Sequence, residues 1–243
     1  LHWANSPYAF HSLGSTIVVN ALCYAQVRGV PLRQAGEDFY LLCKLSKIRP
    51  LARLHGEPVR LQSRFSDRVP FGTGRGSYKL GHGDDLILYH PSCFAAVREV
   101  TTALNSSVES WPVLRRLATD RIRSSGDGLV RENIGRMCSG MSPVVRSFLQ
   151  TQGALRAWQR IGEQAPDSTS RVRRLHEWFD GFRTLKLIHH VRKLTAASLP
   201  WGDAIRRAPF MDGIKDDGDC LSKIRMDLLR RERDLPSLVG PTL

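Results

Sequence analysis

The chain predicts an α+β fold that is mostly helical, and three observations carry that reading. Residues 77–82 alternate and residues 86–89 run apolar on either side of a glycine turn, the pattern of a β-hairpin. Apolar residues elsewhere recur at the three- and four-residue spacing of amphipathic helices. The length, 243 residues, suffices for one large domain or two small ones with a substantial core.

Residues 16–28 are expected to form the first helix, with Ile17, Val18, Val19, Ala21, Leu22 and Ala25 as its apolar run. Asn20 then falls one turn after Thr16 on the same face. Pro31 suits a first helical position, and Phe39, Leu41, Leu42, Leu45 and Ile48 continue an apolar pattern to Arg49 and Pro50. Residues 51–76 are rich in Arg, Gly and Pro and read as a loop. Within them, Gly72-Thr73-Gly74-Arg75-Gly76 would suit a phosphate, but no helix follows it, so it reads as a connecting turn.

The hairpin carries adjacent carboxylates, Asp84 and Asp85, at its tip, and Gly83 allows the backbone to turn there. Two neighbouring carboxylates repel each other, so such a tip is either fully solvated or built around a divalent cation. A second acidic run, Asp216-Asp217-Gly218-Asp219, has no apolar strand beside it.

After the hairpin, Ser92 can cap a helix through Leu104 that packs by Phe94, Ala96, Val97 and Val100. From residue 143, Val144, Val145, Phe148, Leu149, Leu155, Trp158 and Ile161 recur at helical spacing. A polar break over residues 163–170 precedes a second long helix, expected over residues 171–197. Arg171, Arg173, Arg174, Arg183, Lys186, Arg192 and Lys193 decorate this helix, as a solvated basic face or a phosphate-binding one. Trp158, Trp178, Phe179 and Phe182 suit a core or a base-stacking surface. His176, His189 and His190 read as helix-surface histidines. Residues 223–243 alternate in charge and end Pro-rich, which predicts a helix followed by a mobile end.

Lys and Arg number 36 against 23 Asp and Glu, a formal net charge of +13 that favours a polyanionic partner such as nucleic acid. The five cysteines are scattered with no Cys-x-x-Cys pair, which argues against a zinc site or disulfide framework and fits a reducing cytosol. Neither a Gly-x-Ser-x-Gly elbow nor a Walker loop occurs. The most apolar segment, residues 16–25, is too short to cross a bilayer, so no membrane partner is expected.

The segment Asp84-Asp85-Leu86-Ile87-Leu88, then Pro91-Ser92-Cys93 and Ala96-Val97-Arg98-Glu99-Val100, resembles motif C and the following helix of a known family. That family is the RNA-directed RNA polymerases, the replicase subunits of the single-stranded RNA bacteriophages (levivirus group). Arg131-Glu132-Asn133-Ile134-Gly135-Arg136 with Ser139-Gly140 is similar to its Arg-Glu-x-x-Gly-Lys and Ser-Gly segment. Leu199-Pro200 with Gly202-Asp203 is similar to its late Ile-Pro, Gly-Asp segment. Upstream, Phe10-His11-Ser12-Leu13-Gly14-Ser15-Thr16 resembles its motif B, two residues short in the loop.

The resemblance implies a partial polymerase palm over residues 1–142, with the motif B-like helix, an insertion and the Gly-Asp-Asp hairpin. A helical thumb and tail would follow over residues 143–243. It implies that Asp84 and Asp85 are catalytic and bind Mg2+ or Mn2+. Ser12, Gly14, Ser15, Thr16 and Asn20 would hold the nucleotide or template, and the basic thumb residues would hold RNA. Implied partners are RNA template and product, nucleoside triphosphates, and host elongation factors Tu and Ts, in the cytoplasm of a bacterial host. The family's motif D lysine has no counterpart, since residues 101–130 contain no lysine and Arg115 and Arg116 keep their protons. Motif A precedes motif B in the family, so the resemblance implies a carboxy-terminal fragment, inert on its own. A reading from another class is a non-enzymatic, basic RNA-binding subunit of a ribonucleoprotein assembly.

Overall fold

A computed structural model describes residues 1–12, 17–54, 85–120, 140–211, 221–235 and 238–239. In chain order the described elements are α1 (Ala21–Gln26), α2 (Glu37–Ile48), β1 (Leu51–Ala52), β2 (Ile87–Leu88) and α3 (Pro91–Asp120). There follow α4 (Pro143–Thr151), α5 (Ala154–Gln164), α6 (Ser168–Trp178), α7 (Gly181–Leu194) and β3 (Leu199–Pro200). The last are α8 (Trp201–Arg206), a 3-10 turn (Pro209–Met211), α9 (Leu221–Arg233) and β4 (Leu238–Val239). The described chain is thus mostly helical with few strands, as its patterning predicts.

Two compact units are present, and each is assembled from separated stretches of chain. The first joins Leu1–Ala9 to Ser92–Ala197 and Pro241–Leu243, and the second joins Phe10–Pro91 to Ser198–Gly240. The expected boundary at residue 142 falls inside the first unit.

The first unit is a helical bundle. Helix α4 packs on α7 and α5, and α5 packs on α6. Its core takes Val97, Val100 and Leu104 from α3, Phe148 from α4, Trp158 from α5 and Leu187 from α7, all buried. Removing such side chains from water is what drives the helices together, at about 1.5–3 kcal/mol each. Polar bonds fix the register: Glu99 Oε2 accepts from both the amide and the hydroxyl of Ser142, each at 2.9 Å. The amino-terminal segment belongs to this core. Ala4 and Tyr8 are buried, the Thr101 hydroxyl donates to the Ala4 carbonyl, and the Tyr8 hydroxyl donates to the His176 carbonyl at 2.9 Å.

Three expected helices in this unit are revised. The helix expected to end at Leu104 begins at Pro91 and runs on to Asp120 with Pro112 in its interior, because a lapse in apolar spacing alone does not end a helix. The periodic run from residue 143 is two helices. Gly153, with φ of +67°, separates α4 from α5 in a left-handed conformation costly for any residue with a Cβ. The long helix expected over 171–197 is likewise two. The Asp180 carboxylate accepts from the Arg183 amide at 3.1 Å and starts α7 afresh, while the Asp167 carboxylate caps α6 through Ser170.

In the second unit, Val27, Leu41, Leu42 and Leu45 form a small core covered by Phe10, Ile17, Val19, Cys23 and Leu51. The helix expected over 16–28 is confined to Ala21–Gln26, and residues 17–20 are not helical. The reason lies in Asn20, whose side chain accepts from the Leu22 and Cys23 amides at 2.9 and 3.4 Å and so ends the helix on its amino side. The β-branched Ile17, Val18 and Val19 before it favour extended backbone. Pro31 is not in a helix. Helix α2 begins six residues later, behind Gly36, with Glu37 and Asp38 in its first turn.

Strand β2 pairs antiparallel with β3, Ile87 opposite Pro200 and Leu88 opposite Leu199. Residues 77–84, the other expected arm and the turn, lie outside the described residues. Strand β1 pairs with β4, Leu51 opposite Val239 and Ala52 opposite Leu238. The tail expected to be a helix and a mobile end is therefore α9 followed by a segment held in a sheet.

Candidate functional site

Two regions hold the residues singled out by sequence, one in each unit. In the second unit, Asp85 is exposed two residues before the start of β2. Behind it, the Trp201 amide donates to the Leu86 carbonyl at 2.9 Å, so the start of α8 is joined to the strand that follows the acidic pair. Thus Leu86-Ile87-Leu88 and Leu199-Pro200-Trp201, far apart in sequence, lie side by side. Asp203 is not a spare acid there, because its carboxylate meets the Arg206 guanidinium at 2.6 Å.

A hard cation such as Mg2+ keeps several waters and is commonly held by one or two carboxylates together with substrate phosphates. An exposed Asp85 next in sequence to Asp84 suits that donor chemistry. Among the described residues no group of three His, Cys, Asp or Glu comes together, and Asp84 lies outside them. Of the expected nucleotide-binding residues, Gly14, Ser15 and Thr16 also lie outside, and Ser12 is half-buried. Asn20 is exposed, but its side-chain oxygen is engaged as the cap of α1, which leaves its amide NH2 group for any other contact.

In the first unit, the expected RNA-binding residues separate by exposure. Arg171 is buried at 4 % exposed, and burial lowers its pKa to about 10, so its guanidinium belongs to the interior of the bundle. Arg173 pairs with Glu177 at 3.7 Å. Arg174 donates to the Gln164 carbonyl at 3.0 Å. Arg183 donates to the Trp178 carbonyl at 2.7 Å and lies over the Trp178 ring, 4.6 Å from its centre. Lys186, Arg192 and Lys193 are exposed on α7.

The aromatic residues divide the same way. Trp158 and Phe179 are core, Trp178 is half-buried with its ring edge-on to Trp158 at 5.5 Å, and Phe182 is exposed. The histidines do too. His176, expected on the surface, is buried with Nε2 2.8 Å from Asn105 Oδ1. His190 is half-buried with Nε2 3.0 Å from Ser147 Oγ, and His189 is exposed beside Arg192, with burial first and that charge second holding its pKa below the usual value.

Comparison with protein-family models, curated proteins and solved structures finds no match. Function must therefore be argued from the residues. Sequence reasoning did not single out the line Phe182, Lys186, His189 and Lys193, although its four-three-four spacing places all of them on one helix face. No described helix is long and apolar enough to cross a membrane.

Proposed function

We propose that the chain is the palm and thumb portion of an RNA-directed RNA polymerase of the RNA phage type, acting in viral RNA replication by metal-dependent nucleotidyl transfer. The observation that carries this reading is the β2–β3 pairing, which supports the resemblance by joining two of its separate segments in one small sheet. Asp84 and Asp85 would hold a divalent cation, which when bound supplies charge neutralisation at the reacting phosphate. The chain's own contribution is positional. The sheet fixes the start of β2, and hence Asp85, against α8, while exposed cations of α7 hold RNA by its phosphates without reading sequence. RNA template and product, nucleoside triphosphates and host elongation factors Tu and Ts are the partners this reading carries, in a bacterial cytoplasm.

Manganese titration followed by nuclear magnetic resonance tests it. Mn2+ is expected to broaden signals of residues 86–89 selectively, and Asp84→Asn or Asp85→Asn is expected to abolish the effect. Uniform or absent broadening would remove the polymerase reading. It would leave a basic RNA-binding subunit, a reading favoured by one specific observation: the exposed cations lie on a helical unit separate from the one holding Asp85.

A further inference from the structure

Helix α7 is amphipathic in an unusual way. Gly181, Thr184, Leu187, Ile188 and Val191 are buried, while Phe182, Lys186, His189 and Lys193 line the solvent side. A large aromatic ring on a solvent-facing stripe is not explained by the core, which α7 satisfies with its other face. From its first residue to its last, α7 contains no Asp or Glu, and neither does α4, the helix packed against it. Elsewhere in the unit arginines are partly neutralised, as Arg173 is by Glu177. On this stripe the cations have no acid of their own helix to pair with. Lys186 Nζ lies over the Phe182 ring, 4.6 Å from its centre, so an ammonium and a π-face occupy one spot.

We propose that this stripe is a single-strand RNA site in which Phe182 stacks on an unpaired base and Lys186 takes an adjoining phosphate, with Lys193 further along the same strand. The stripe from Phe182 to Lys193 is about 16 Å long, enough for a few nucleotides. A duplex is the poorer fit, because its bases are already stacked and only its phosphates could use the cations. An aromatic side chain among cations is the combination by which unstructured strands are held with little sequence preference. The proposal rests on the reading of the chain as an RNA-handling protein but not on the acidic turn, which lies in the other unit.

Fluorescence anisotropy with a short labelled oligouridylate, an RNA duplex of the same length and vesicles containing phosphatidylserine tests it on the full chain. The single strand is expected to bind more tightly than the duplex. Phe182→Ala should weaken single-strand binding by about five-fold or more, and Phe182→Trp should retain it. Lys186→Ala and Lys193→Ala should each lower the salt slope by about 0.7, the share of one single-strand phosphate. Equal binding of the single strand by wild type and Phe182→Ala, equal preference for the duplex, or binding to vesicles but not to RNA would overturn the proposal. Retention of Mn2+ broadening around residues 86–89 in that case would leave the polymerase reading standing.

Discussion

At His176 the loss of surrounding water governs the ring's chemistry. Burial lowers its pKa to about 4, and its Nδ1 has no hydrogen-bond partner among the described residues, so the ring is held neutral. The unfolded chain, with a histidine near 6.5, takes up this proton first as acid is added. Stability contributed by the neutral ring is therefore present above about pH 6.5, declines as pH falls toward about 4, and is flat below that. The loss is on the order of 3 kcal/mol. Urea unfolding of wild type and His176→Gln across this range should show the slope in wild type and its reduction in the variant. A parallel dependence in both proteins would place the acid sensitivity on another group.

Helix boundaries are set by caps more than by apolar periodicity. Asp180 closes the first turn of α7, so Asp180→Ala should destabilise the bundle by about 1 kcal/mol, with a lowered urea midpoint at an unchanged slope. An unchanged midpoint would show that the tertiary contacts of α7 alone set its start. This also explains how much of the fold was legible. The mostly helical class and the core residues Val97, Val100, Phe148 and Trp158 follow from spacing, which burial enforces. The breaks at Gly153 and Asp180 were missed because both sit inside runs whose apolar spacing continues across the boundary. In the same way Asn20, read as part of a helix face, serves as its cap. Of the candidate site, the exposure of Lys186, Arg192 and Lys193 agrees with the sequence pattern. The burial of Arg171 and His176 was not legible, because it depends on which neighbouring helices pack over them.

On the scale of the whole molecule, chain order and spatial grouping diverge. The first nine residues contribute Ala4 and Tyr8 to a bundle whose helices begin with α3, so a segment that looks like a dispensable terminus is part of a core. Tyr8→Ala is expected to cost about 3–5 kcal/mol, measurable by denaturant titration of the full chain. A loss below about 1 kcal/mol would mean that the bundle closes without this segment. The formal net charge of +13 acts on the same scale, favouring encounter with polyanions and making any such binding fall with added salt.

The β2–β3 pairing also has a temporal side. Ribosomes deliver the amino end first, so Ile87 and Leu88 leave the tunnel well before their partners Leu199 and Pro200 exist. At ~5–20 residues per second, the roughly 110 residues between them impose a wait on the order of ten seconds. During that interval the segment beside Asp85 lacks this strand partner. A chain released early, anywhere before Leu199, could not form this sheet, so incomplete translation products are born without the framework assigned to the acidic pair.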